Sequence, residues 1–109
     1  MWYAIVTDAL TGAADSAARC LPSGLRARVS IGGDASAWYD VEAFDTDTRH
    51  LPPAMASEIV AGVVEHCLRM GAVEVYKKVD SVLRGNVGAE LEAAMRAAGA
   101  ELVLLCPAF

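Results

Sequence analysis

The chain reads as an α/β protein: a three-layer, Rossmann-like, mainly parallel sheet with helices on both faces, and an incomplete one. Three observations predict this. Short apolar segments alternate with segments of helical periodicity from one end of the chain to the other. The segment LVLLC at 102–106 is apolar on both faces, as a central parallel strand is. A domain that ends just after such a strand exposes apolar surface suited to further strands. The 109 residues suffice for one domain with a real core.

YAIVT at 3–7 is a short buried strand. Thr11-Gly12 then opens a helix over 13–21, with Thr11 as a possible cap and Pro22 and Gly24 as stops. LRARVSI at 25–31 alternates apolar and polar residues, a half-buried strand, and Gly32-Gly33-Asp34 is a turn. WYDVEAF at 38–44 is a third strand, followed by the polar loop DTDTRHLPP. Pro52-Pro53 suits the first positions of a helix over 52–70. Its Ile59, Val60, Val63, Val64, Cys67 and Leu68 recur at helical spacing, and Gly71 ends it. Residues 73–78 make a fourth strand. Asn86 is placed to cap a third helix that ends at Gly99, with Glu90 and Glu92 near its positive end. Glu90, Glu92 and Arg96 read as its solvated face, and 102–106 makes a fifth strand.

Bulk properties exclude several functions. A net charge of −5 argues against nucleic acid as a partner. No apolar run reaches the roughly 18–20 residues of a membrane span, and the start lacks a basic signal region, so we expect a cytoplasmic protein. Cys20, Cys67 and Cys106 are too scattered for a disulfide framework or a zinc site and read as small buried thiols. His50 and His66 have no partner at ligand spacing, so no metal site is expected.

The polar residues gather where the strands end. Asp8 follows the first strand, and Asp45, Thr46, Asp47, Thr48 and Arg49 follow the third. Lys78, Asp80, Ser81 and Arg84 follow the fourth, inside KKVDSVLRGN, where three of the nine basic residues fall within eight positions. In a parallel sheet all three clusters share the carboxyl end, where such folds bind ligands. Gly12 admits backbone N–H groups to a ligand at a helix N-terminus, although no Walker sequence follows. Arg49 suits an anion held bidentately; Lys78 and Arg84 suit a carboxylate, and Asp80 and Ser81 suit hydroxyls. A solvated loop or a salt-bridged helix entry would use the same residue types.

Three segments resemble one family, the four-carbon acid sugar kinases. KKVDSVLRGNVGAELEAA is similar to its lysine–Asp-Ser-Thr-Leu-Arg-Gly-Asn segment, TDALTGAAD to its early Asp-Asp-Leu-Thr-Gly-Ala segment, and FDTDTRHLPPAMA to its Asp-Thr-Asp-Ser/Thr-Arg segment. Order and spacing agree over nearly all of the chain. The resemblance implies that residues 1–109 are a partial N-terminal domain that binds a small sugar acid, threonate or erythronate in type. It implies a separate C-terminal domain, absent from this chain and joined in cis or trans, that binds ATP with Mg²⁺; neither is expected on this chain alone, which would be inactive. Phosphate would pass to a substrate hydroxyl, stabilised mainly by electrostatics. Carried over by residue, Asp8, Arg49, Lys78, Asp80, Ser81 and Arg84 would bind substrate, and Asp8 and Asp80 are both candidates for the catalytic base. Ala9 stands where the family has a second Asp, and Val82 where it has Thr. Ala9 and the missing ATP-binding domain favour a second reading, a sugar-acid-binding or regulatory module without catalysis. A phosphoacceptor receiver domain fits poorly, because Ala9 breaks its acidic pair and Lys78 follows the wrong strand.

Overall fold

The computed structural model describes residues 1–107; residues 108–109 of the expected domain lie outside them. Strands β1 (Tyr3–Thr7), β2 (Ala27–Ile31), β3 (Val41–Asp45) and β4 (Glu74–Lys77) form one sheet. Its order is β2-β3-β1-β4, and every pairing is parallel. Helices α1 (Leu10–Cys20), α2 (Pro53–Arg69) and α3 (Val87–Ala98) complete an α/β fold, with a single 3₁₀ turn at Leu21–Ser23.

Strand β1 runs through the centre, and its period-two alternation sorts the core into two halves. Ile5 faces α1 among Ala13, Ala17, Val41 and Ala43. Ala4 and Val6 face the other side, where α2 and α3 bring Cys67, Val60, Val64 and Ala94. Small residues on α1 let that helix lie close to the sheet. Val6, Val60 and Val64 are fully buried, each contributing about 1.5–3 kcal/mol of burial. Trp2 Nε1 donates to the Met70 carbonyl at 3.1 Å, tying the end of α2 to the start of β1.

Several elements differ from the sequence reading. The third strand begins at Val41, not at residue 38; Trp38 is 79% exposed. Its loop is held by Glu42, buried in the sheet, which accepts from Ser36 N, Ser36 Oγ and Ala37 N and sits 3.5 Å from Arg28. Helix α1 starts at Leu10 with Ala9 as its unassisted N-cap, so Thr11 lies in the first turn and caps nothing. The expected fifth strand does not form: residues 102–106 carry no strand, and Leu102 and Leu104 lie open to water. A strand apolar on both faces needs cover on both. Beside β4 only the α3 side offers any; on the α1 side Glu74 and Tyr76 are themselves exposed. Of the three cysteines only Cys67 is fully buried, Cys20 is partly so, and Cys106 is exposed.

This topology prepares a site. The chain leaves β1 into α1 on one face but leaves β3 and β4 towards α2 and α3 on the other. Neighbouring strands whose exits diverge open a crevice at their carboxyl ends. Strand β1 sits between β3 and β4 and its exit diverges from both, so the loops after β1, β3 and β4 meet there.

Candidate functional site at the strand ends

The loop after β3 folds back over the end of β1. Thr46 N donates to the Thr7 carbonyl at 2.9 Å, and Thr48 N and Arg49 N donate to the Asp8 carbonyl at 3.1 and 3.3 Å. Asp47 takes a left-handed backbone with φ 50°, its N–H donating to Asp45 Oδ1 at 2.9 Å. This turn aims Arg49 at Asp8. The guanidinium binds that carboxylate with two hydrogen bonds of 3.1 Å, Nε to Oδ2 and Nη2 to Oδ1.

The loop after β4 brings a second pair to the same place. Arg84 donates to Asp80 through Nε at 2.9 Å and Nη2 at 2.7 Å. Asp80 Oδ2 also accepts the backbone N–H groups of Val82 and Arg84, at 3.2 and 3.1 Å. Arg49 Nη2 lies 3.5 Å from Asp80 Oδ1, so the two pairs fuse into the chain Asp8, Arg49, Asp80, Arg84. The Arg84 side-chain hydrogen bonds, with the backbone donors behind them, hold the Asp80 carboxyl well below the usual carboxylate range. Arg49 and Arg84 are raised in turn, chiefly by their hydrogen bonds to Asp8 and Asp80.

Gly85 closes the arrangement. Its φ is +85°, and a Cβ there would stand 2.7 Å from Asp8 Oδ2 and 3.2 Å from Arg49 Cγ. The backbone after β4 can approach the Asp8–Arg49 pair only because this residue has no side chain.

A cavity of about 170 Å³ opens between these loops and the first turn of α1. Its walls include Asp8, Thr11, Gly12, Arg49, Lys78, Asp80 and Ser81. That size suits a small polar molecule and falls well short of the ~300–1,000 Å³ of drug-sized pockets. Lys78 Nζ donates to the Val79 carbonyl at 2.6 Å and pairs with no carboxylate among the described residues. Three carboxylates, Asp8, Asp15 and Asp80, line the cavity; Asp8 and Asp80 are paired with Arg49 and Arg84, and Asp15 lies 3.3 Å from Arg19, so Lys78 is the lining cation with no carboxylate partner among the described residues. A larger hollow of about 1060 Å³ runs alongside, lined by Tyr3, Ile5, Leu25 and Tyr76. It is the open face of β4 that α1 does not reach, and it joins the smaller cavity at Asp15, Lys78 and Ser81.

All six sequence-predicted site residues, Asp8, Arg49, Lys78, Asp80, Ser81 and Arg84, therefore meet around one small cavity or its ion-pair chain. Three others lay outside the prediction. Glu90 is not on a solvated face: it is 1% exposed, 3.1 Å from Lys77 Nζ, and accepts from Thr48 Oγ1 at 2.9 Å. Only Glu92 and Arg96 of that set form an exposed pair. Asn86 makes no side-chain cap; its Nδ2 donates to the Thr48 and Leu51 carbonyls at 3.3 and 2.8 Å, binding α3 to the loop after β3. Lys77 and Lys78 point to opposite faces, which period-two alternation from Val75 could have told. Among the described residues no group of three or more His, Cys, Asp or Glu is placed to hold a metal ion. Among the described residues no helix is long and apolar enough to cross a membrane.

Fold and site together define a Rossmann-like α/β domain with a small pocket, lined by charged side chains of both signs, at its strand ends. The chain belongs to the sugar-binding N-terminal domain family, whose model matches residues 3–109. It is 39% identical over 116 residues to a D-threonate kinase of Bordetella bronchiseptica, covering 99% of this chain and 29% of that protein. It is 35% identical to a D-threonate kinase of Salmonella typhimurium, over 95% of this chain and 25% of the other. A D-threonate kinase of Cupriavidus necator is 39% identical over the whole of this chain and 26% of its own. The chain thus spans between a quarter and a third of these relatives. A crystal structure of a domain of unknown function from B. bronchiseptica, a domain-swapped dimer with bound citrate, superposes with a TM-score of 0.83. That match has 38% identity and covers 89% of this chain and 26% of the other.

Proposed function

We propose that this chain is the sugar-acid-binding part of an ATP-dependent kinase that phosphorylates a hydroxyl of a four-carbon sugar acid such as D-threonate. The observation that carries the reading is the unpaired charge of Lys78 on a small cavity whose other charges are already matched. A carboxylate ligand would complete that balance, and Ser81 and the N–H groups of the first α1 turn would meet its hydroxyls. The citrate in the B. bronchiseptica structure and the D-threonate kinase relatives support an acid ligand. Substrate roles for Asp8, Arg49, Lys78, Asp80, Ser81 and Arg84 follow from this reading, and the cytoplasm is its natural setting.

Of the two candidate bases, Asp8 suits proton abstraction better. Asp80 Oδ2 already accepts three hydrogen bonds and its carboxyl is held far down the acid scale, which makes it a poor base. Each Asp8 oxygen accepts one guanidinium bond and keeps a lone pair open. ATP and Mg²⁺ would be held by the remainder of the kinase and would supply the phosphoryl group and its charge neutralisation. On this chain the task is to hold the acid and present its hydroxyl.

Calorimetric titration of the chain with D-threonate and with the neutral tetritol threitol tests the reading. Binding of the acid alone is expected; equal binding of both, or of neither, would overturn it. Joined to an ATP-binding part, the protein should consume ATP only when D-threonate is present. Ala9 favours the second reading, and binding without turnover in that joined protein would establish a non-catalytic module.

A further inference from the structure

One charged group beside the site has no part in binding the acid. Glu90 projects from the first turn of α3 into the space between β4 and the loop after β3, almost wholly buried. One oxygen lies 3.1 Å from Lys77 Nζ in a contact too poorly aligned for a hydrogen bond, so the attraction is coulombic. Lys77 Nζ is anchored by donating to the Lys78 carbonyl at 2.9 Å. The other oxygen of Glu90 accepts from Thr48 Oγ1 at 2.9 Å. Thr46 Oγ1 donates to the Thr7 carbonyl at 2.8 Å and lies 2.7 Å from Thr48 Oγ1.

Thr48 is thereby gripped at three points: its hydroxyl by Glu90, its N–H by the Asp8 carbonyl, and its carbonyl by Asn86 Nδ2. The next residue is Arg49, whose guanidinium bridges Asp8 and Asp80. A buried ion pair is costly to form and does little for stability against an apolar alternative. One that grips a loop beside a binding arginine has a positional use.

We propose that Glu90 is a positioning residue of the anion pocket: acting through Thr48, it sets where Arg49 presents its guanidinium, and Lys77 neutralises its buried charge. This deepens the reading of the pocket as a sugar-acid site and rests on it for the ligand.

The cleanest test is Thr48→Val, which removes the hydroxyl, keeps the shape and leaves the Lys77–Glu90 pair in place. Exchange of the Thr48 and Arg49 amide hydrogens should quicken, and affinity for D-threonate should fall about tenfold, the worth of one hydrogen bond to a charged group. Thr48→Ser should restore both. Glu90→Gln should act in the same direction; if it unfolds the chain, the threonine variants still decide. Unchanged amide exchange in Thr48→Val, or failure of serine to restore it, would overturn the proposal. Should the unaltered chain not bind D-threonate, the functional reading fails, and amide exchange alone judges the role of Glu90.

Discussion

Arg49 and Arg84 both clasp an aspartate with two hydrogen bonds, yet they are different devices. Arg49 is 15% exposed, lies between two carboxylates, and belongs to a loop pinned to β1 and α3. Arg84 is 63% exposed and among the described residues its guanidinium pairs with Asp80 alone, four residues before it in the same loop. The first is built into the frame and can be exchanged for nothing else without rearranging its neighbours. The second stands open to water, and without it Asp80 would keep two backbone donors, so on the proposed reading it is the arginine that can turn to a ligand. The same residue pair is thus buried framework in one loop and an exposed contact in the next.

Five tests would break or sharpen this contrast and the frame around it. The largest effect is expected from Gly85→Ala, which forces a side chain into a left-handed backbone and against Asp8. We predict a loss of about 2–4 kcal/mol in denaturant unfolding, together with loss of acid binding. A stable variant would show that the packing between the two loops is loose. Next comes Arg49→Ala, which strands Asp8. A cost of about 2–3 kcal/mol is expected, below that of a fully buried pair because the guanidinium still meets water. Arg84→Ala should weaken D-threonate binding while lowering the melting temperature less than Arg49→Ala does; equal losses would erase the distinction. Acid should separate the two further. Folded Asp80 titrates below its unfolded value of 3.8, so its contribution is present above that pH and fades as pH falls through the depressed value. Without Arg84 the depression shrinks, and acid unfolding should begin at higher pH. The smallest effect is chemical. Burial pushes the Cys67 thiol up to about 12, so iodoacetamide at pH 8 should modify Cys106 and spare Cys67 until the chain unfolds.

Much of this was legible in the sequence, and the failures have physical causes. Alternating segments gave the parallel sheet, because a strand with helices on both sides has no other economical arrangement. Strand ends gave the site, because parallel strands share a carboxyl end. Glu90 was misread because a helix face is polar or buried according to what faces it, and Lys77 opposite it made burial possible. Asn86 has the residue type of a cap but spends its amide on two carbonyls some thirty-five residues earlier, a contact with no local trace. The segment 102–106 has the composition of a strand but lacks cover on the α1 side of the sheet. Gly85 stood in the sequence only as one letter of KKVDSVLRGN, whereas the reason for its identity is Asp8, far back in the chain.

The two adjacent lysines carry a last consequence. Lys77 faces inward to neutralise Glu90, and Lys78 faces the pocket. Their identity is the same, so exchanging them changes nothing; only their parity along β4 assigns the work. Most substitutions upstream in that strand would leave this parity intact, whereas losing one residue between 73 and 76 would reverse it for everything that follows. We predict that a deletion scan across this segment would abolish binding and stability together, where a substitution scan would separate them. The strand acts as a reading frame, and its errors are those of phase.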